Sequence, residues 1–454
     1  MPTISRITNG TVYGWISNVD ATWTCTLYRR YSALAWNTTS TAGTFDWGTV
    51  INSTSVVCNW LVGSTDYLKA NAQLKVEARP VSRGRHITAT EIARAKEWQA
   101  KKYAAGFAGI TWPKRWGGRE LAPIFQVIYQ QEESNYLVPL GFFDIGLGMC
   151  IPTMMAYASK EHLARYVKPA LHGEEVWCQL FSEPAAGSDV AGIRTRAERD
   201  GDGWVINGQK VWTSGAHYCD YGIIITRTDP NVPKHAGLTM FFLSMKTPGV
   251  EVRPIKQISG GANFNEVFFT NVRIPDSQRL GKVGEGWKAA LTTLMNERLA
   301  VGLPSGGLDV DELMELARDT ELEDGPAIRN QQVRSKIADW YVQQQGLKLT
   351  RYRTLTALSK GQTPGPESSI IKIVAAPKMQ DMGAMAMELM GPAGIMKEDV
   401  PHAAGFQAQW IGGAGFRIAG GTDEILRNIV AERVLGLPQD VRVDKDVPFN
   451  KMKN

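Results

Sequence analysis

The sequence predicts an α+β protein in which a compact β domain sits between two helical regions. Three observations carry this. Helical periodicity runs from Asp66 to about Leu171. Short β-branched and aromatic segments begin near Glu175. Helical periodicity then returns after Gly284-Glu285-Gly286. The expected divisions are residues 1–65, 66–174, 175–285 and 286–440, with a tail at 441–454.

Residues 1–65 differ from the rest. They carry Trp15, Trp23, Trp36, Trp47 and Trp60, many threonines and no lysine. The run Thr22-Trp23-Thr24-Cys25-Thr26-Leu27-Tyr28 favours a strand. The segment lacks the basic start and apolar block of a signal peptide. Downstream, Thr88-Ala89-Thr90-Glu91 has the pattern of a capping box ahead of the helical run Ile92 to Gln99. Pro113 and Gly117-Gly118 mark a loop. Strands are expected at 176–181, 203–211, 221–227, 238–243 and 266–272, separated by Gly, Asn, Asp and Pro. Helices are expected at 287–301, 327–359, 368–389 and 423–435. The sequence has no internal repeat.

Composition narrows the function classes. With 454 residues, 43% hydrophobic and 21% charged, the chain is neither disordered nor collagen-like. A net charge of +5 is mild; it suits an anionic small ligand and does not call for nucleic acid. The apolar stretch 136–158 is broken by Pro139, Asp144 and Pro152, so it reads as buried helix and loop and no membrane span is expected. Five cysteines without a CxxC argue against a metal knuckle or disulfide framework and for a reducing compartment, and with no convincing targeting segment a cytoplasmic bacterial setting is expected. No Walker A, no HExxH and no GxGxxG in a strand-to-helix context is present. Ser369-Ile370-Ile371-Lys372 matches SxxK but lacks that motif's companions.

Two segments remain. Leu180-Phe181-Ser182-Glu183-Pro184-Ala185-Ala186-Gly187-Ser188-Asp189-Val190-Ala191-Gly192 follows a strand and offers amides and hydroxyls around a turn. Such a turn can cradle an anion or the edge of a heterocycle; the plain alternative is a hairpin connection. In Asn207-Gly208-Gln209-Lys210-Val211-Trp212-Thr213-Ser214-Gly215, strand alternation puts Trp212 and Ser214 on one face. An indole there can cover a flat ring while the serine donates to it. The alternative is a core tryptophan with a satisfied serine.

Together these segments resemble the acyl-CoA dehydrogenase family. Residues 180–192 look like its first signature, with Phe181 where a smaller aliphatic is usual. Trp212-Thr213-Ser214 looks like its flavin-contact strand. Gly420-Gly421-Thr422-Asp423-Glu424-Ile425-Leu426-Arg427-Asn428 resembles its closing motif. The resemblance spans about residues 66–438. It implies an N-terminal helical domain, a middle β domain, a C-terminal helical bundle, FAD and α,β-desaturation of an acyl-CoA thioester. Electrons would pass to electron-transfer flavoprotein. It further implies that Ser182, Ser188, Trp212 and Ser214 contact FAD, that Phe181 and Gly187 line the same wall, and that Thr422 and Glu424 lie near the flavin or its phosphates. Ser188 and Arg298 would meet the substrate. Arg318 and Thr320 match an arginine and a threonine that reach FAD across a subunit interface in a homodimer or homotetramer. The family pattern is altered after them, at Glu321-Leu322-Glu323-Asp324, and again at Pro392.

Many members carry the catalytic glutamate directly before the Gly-Thr of the closing motif, where this chain has Gly420. The isovaleryl and long-chain types instead place it in a Glu-Arg pair on an earlier helix, which corresponds here to Glu297-Arg298. Helical spacing puts Glu297 on a face with Ala290, Leu294 and Val301. A carboxylate on an apolar stripe is costly unless paired or functional, and burial raises its pKa toward that of a working base. The alternative is a structural glutamate paired with a neighbouring arginine. The Gly420 amide would help hold the thioester oxygen. Two further readings share the fold: an acyl-CoA oxidase, and a flavin-holding subunit of a hetero-oligomer.

Overall fold

The computed structural model describes residues 13–19, 22–28, 54–74, 87–300, 309–359, 365–396, 403–442 and 444–452. Of residues 13–19, 22–28, 54–59, 297–300, 355, 358 and 359 it describes the backbone alone. Val301, expected on the face of Glu297, lies outside the described residues, as do the side chains of Glu297 and Arg298.

Strands β1 (Tyr13–Val19) and β2 (Thr22–Tyr28) form an antiparallel pair, so the expected strand at β2 is present. Helix α1 (Thr54–Asn71) begins upstream of the boundary expected at residue 66. The two-residue strands β3 (Gln73–Leu74) and β4 (Tyr136–Leu137) pair with each other across α2 (Ala89–Ala104) and α3 (Pro123–Glu133). The α2 capping box forms as its sequence dictates: Thr88 Oγ1 accepts from Glu91 N–H at 3.2 Å, and Glu91 accepts from Thr88 N–H at 2.8 Å. Leu68, Trp98, Ile110, Phe125 and Tyr129 build the core of this part. Glu133, buried among them, accepts hydrogen bonds from Trp98 Nε1 and Tyr129 Oη and pairs with Lys102. A π-helical turn, Gly146–Cys150, runs into α4 (Ile151–Tyr157), and α5 (Lys160–His172) follows.

The middle of the chain is a sheet of β5 (Trp177–Leu180), β6 (Arg196–Asp200), β7 (Gly203–Ser214), β8 (Tyr221–Arg227), β9 (Leu238–Ser244), β10 (Val250–Ile255), β11 (Phe264–Pro275) and β12 (Arg279–Leu280). Its order is β10-β11-β7-β6-β8-β9-β12, with β5 parallel beside β8. The runs in β8 and β9 are apolar at nearly every position because both faces are covered. Ile223, Ile225, Met240 and Phe242 pack toward α4, α5 and the following helix. Ile224, Phe241 and Leu243 pack toward Trp204, Val267 and Phe269 within the curled sheet. Each such side chain contributes roughly 1.5–3 kcal/mol on burial.

That following helix, α6 (Gly286–Ala300), packs on the π-helical turn, α4 and β9. Then come α7 (Val310–Asp319), the small strands β13 (Glu321–Leu322) and β14 (Gly325–Pro326), α8 (Gln331–Ser359), α9 (Ser369–Met390), α10 (Ala403–Phe416) and α11 (Asp423–Arg433). Val310, Leu313, Val333, Ile337, Trp340, Met382 and Phe406 form their shared core. Helices α7 and α10 and strands β6, β10 and β12 add to the elements expected from sequence. No helix among the described residues is long and apolar enough to cross a membrane.

Candidate functional site

The loop after β5 and the end of β7 lie side by side because main chain and side chain both tie them. Val211 N–H donates to Ser182 O at 2.8 Å. Lys210 Nζ donates to Phe181 O at 3.0 Å and to Glu183 Oε1 at 2.8 Å. Glu183 also accepts from the amides of Arg194 (2.6 Å) and Thr195 (2.9 Å), so one buried carboxylate fastens both ends of the loop. Burial pulls the fully buried Lys210 ammonium down to about 8 even against the attraction of Glu183. The same burial pushes Glu183 up, but the charge of Lys210 and the donated hydrogen bonds outweigh it and hold the carboxylate below its usual range.

Between Thr213↔Asn265 and Lys210↔Val267 the strand β7 has one residue more than β11, which is a β-bulge at Val211 and Trp212. Trp212 takes φ +59°, a left-handed conformation that bulky residues rarely adopt. Its indole is 58% exposed and meets Phe264 edge-on at 6.0 Å. Thr213 beside it is buried, with Oγ1 unpartnered, and its carbonyl accepts from Asn265 Nδ2 at 2.9 Å. Ser214 is half-buried on the Trp212 side. On the loop, Phe181 is buried, Ser182 half-buried, and Gly187 and Ser188 exposed. Of the residues expected around FAD, the hydrogen bonds bring Phe181 and Ser182 beside Lys210 and Val211, one residue from Trp212, with the Phe181 ring buried in the core. Sequence reasoning missed the Glu183–Lys210 tie beneath them.

Helix α6 packs on the core that also holds Phe181. Gly286, Ala289, Ala290 and Thr293 form its buried face, and Thr293 Oγ1 hydrogen-bonds Thr153 Oγ1 at 2.9 Å. Position 297 follows Thr293 by four residues and Ala290 by seven, so the backbone phase puts it on that same face.

Around the closing motif, Gly420 (φ +67°) and Gly421 (φ +93°) make the left-handed turn that a side chain would strain, and Thr422 caps α11 by accepting from Ile425 N–H at 3.2 Å. Arg417 Nε holds Asp423 Oδ2 at 2.7 Å, while the buried Asp423 Oδ1 has no partner. A cleft of about 290 Å³ opens here between Gln380, Arg417, Ile418, Thr422, Asp423 and Glu424. Glu424 is exposed; the helix N–H that it accepts and the Thr422 hydroxyl lower its pKa. Arg318 is exposed at the end of α7, and Thr320 Oγ1 donates to Leu316 O at 2.8 Å. Both sit at the edge of the C-terminal helical core, whose residues include none of the β domain.

Three sequence models match in this order: the acyl-CoA dehydrogenase N-terminal domain over residues 70–174, the middle domain over 178–272 and the C-terminal domain over 284–435. The chain belongs to the acyl-CoA dehydrogenase family. Acyl-CoA dehydrogenases are oxidoreductases, and their three-domain architecture is the one described above. Acyl-CoA dehydrogenase IpdE1 of Mycobacterium tuberculosis is 36% identical over 79% of this chain and 91% of its own length. Acyl-CoA dehydrogenase FadE34 of the same organism is 38% identical over 74% of this chain, which spans only 45% of FadE34. The solved structure titled Tcur3481-Tcur3483 steroid ACAD superposes with a TM-score of 0.71 at 25% identity, covering 86% of this chain and 99% of that one. The ChsE4-ChsE5 complex from Mycobacterium tuberculosis gives 0.70 at 25% identity, covering 86% and 100%.

Proposed function

We propose that this acyl-CoA dehydrogenase family member binds FAD and desaturates an acyl-CoA thioester between its α and β carbons. The observation that carries the reading is Trp212: a bulge holds its large apolar ring out of the core, one residue beyond the strand positions that are tied to the 181–192 loop. Exposing that surface and adopting a left-handed φ both cost free energy, which a bound flat ring offsets. Open space at the loop supports this: a Cβ at Gly187 would meet nothing within 4 Å.

FAD, when bound, supplies the acceptor for the β hydrogen. The chain's own residues do the rest. Trp212 covers the ring, Ser182 and Ser214 donate to its edge, and Phe181 and Gly187 line the wall. Ser188 meets the anionic ligands at the loop's exposed side. Glu297 removes the α proton as general base, with Arg298 beside it at the substrate. The Gly420 amide donates to the thioester oxygen as enolate charge develops, worth on the order of 3 kcal/mol per donor in comparable sites. Thr422 and Glu424, with Arg318 and Thr320 from a neighbouring copy, serve the phosphate and adenine half. Electron-transfer flavoprotein takes the electrons. The name of the steroid ACAD neighbour favours a bulky, ring-bearing thioester here too.

A second reading is supported by the ChsE4-ChsE5 and Tcur3481-Tcur3483 neighbours, each named for two unlike chains. In it, this chain completes its flavin site only beside a different subunit. Purifying the chain alone, counting its flavin and titrating it anaerobically with straight-chain and steroid-derived thioesters separates the two. The first reading expects about one flavin per chain and bleaching by a thioester. A flavin-free chain that gains FAD only on co-expression with an unlike subunit selects the second. A flavin-loaded chain that no thioester bleaches contradicts the dehydrogenase reading.

A further inference from the structure

Residues 444–452 lie beyond the stretch matched by the family's sequence models, yet they dock on the β domain beside the 181–192 loop. Phe449 N–H donates to Val232 O at 3.0 Å, Asn450 N–H to Pro230 O at 2.9 Å, and Asn450 Nδ2 to Asn231 Oδ1 at 2.8 Å. Two relays run from this segment into the loop. Lys234 Nζ, nearly buried, sits 2.7 Å from both Asp444 Oδ2 and Asp189 Oδ2, and Asp189 directly follows Ser188. The Phe449 ring covers the buried Arg227 guanidinium at 3.7 Å. Arg227 in turn donates to the carbonyls of Ala191 (2.5 Å), Ile193 (3.3 Å) and Lys234 (2.6 Å), fixing the far end of the loop.

We propose that residues 444–450 are a positioning strap: Asp444 through Lys234, and Phe449 through Arg227, hold the 181–192 loop in the conformation that presents Ser182 and Ser188 to ligand. The chemistry suits this. The Arg227 donors are spent on the carbonyls of Ala191, Ile193 and Lys234, and an aromatic face over the guanidinium keeps water from competing for them. An ammonium shared by two carboxylates transmits the position of one to the other. The ligand half of the proposal rests on the flavin and thioester reading above; the structural half does not.

Hydrogen exchange tests it on the full-length protein, on Phe449→Ala, on Asp444→Asn and on a chain ended after Leu437. The strap predicts that a peptide spanning residues 184–195 exchanges about tenfold faster in Phe449→Ala and faster still in the shortened chain, while a peptide spanning α7 is unchanged. It also predicts that the dissociation constant for FAD, read by flavin fluorescence on the apoprotein, rises about tenfold with the loop's exchange. Unchanged exchange at 184–195 in every variant overturns the strap. Acceleration that extends equally to α7 also overturns it, because the segment then supports only global stability. Faster loop exchange with unaltered FAD affinity leaves the strap standing and overturns the reading of the loop as ligand wall.

Discussion

Trp212 concentrates the tension in the site. Left-handed backbone at a bulky residue costs on the order of 1 kcal/mol or more, and the ring recovers little by burial because most of it is exposed. Glycine removes the strain and the ring together. Trp212→Gly is therefore expected to leave the unfolding free energy of the apoprotein within about 1 kcal/mol of wild type, or raise it, while weakening FAD at least about tenfold. Chemical denaturation and flavin titration of the same preparation check both halves; a large stability loss would make Trp212 a packing residue. That Trp212 and Ser214 share a face was legible from strand alternation. The bulge was not, since no Gly or Asn marks it. The Glu183–Lys210 tie was not legible either, because the partners are 27 positions apart and meet only when β5 and β7 come together.

At the scale of elements, legibility followed the balance of local and tertiary forces. The α2 box and β8 could be read from sequence because local chemistry and burial agree there. Helix α10 could not, because Gly405, Gly412, Gly413 and Gly415 depress its intrinsic propensity. Packing overrides this: a Cβ at Gly413 would lie 2.9 Å from Gln380 Cβ, and one at Gly383 would lie 2.8 Å from the Trp410 nitrogen, so glycine lets α9 and α10 approach closely. Strand β6 turns only Ala197 inward, which leaves almost no alternation to read. Helix α7 also carries a pH dependence. Burial first, then the hydrogen bond and charge of Asp309, push Glu312 up to about 7. A raised folded-state pKa means that its stabilisation is full below the ordinary glutamate range and is lost as pH rises through about 7. Glu312→Gln keeps the cap neutral. The stability of wild type relative to this variant is expected to fall between about pH 5 and pH 8, as read by thermal unfolding across that range. A difference that is flat or rising with pH would remove Glu312 from this role.

At the scale of the molecule, α6 packs on the π-helical turn, α4 and β9, on the core that also holds Phe181, so the proposed wall and the proposed base would be carried by elements that share one core. A glycine at 420 supplies no side chain that could accept a proton, so the proposed chemistry depends on position 297. A general base of this kind contributes about 10²- to 10⁴-fold in rate. The most direct measurement is the anaerobic rate at which an acyl-CoA thioester bleaches the flavin of Glu297→Gln, an isosteric change that leaves FAD bound. The account predicts a flavin content equal to wild type and bleaching slowed by about that factor. Bleaching at the wild-type rate in a fully loaded variant would contradict it.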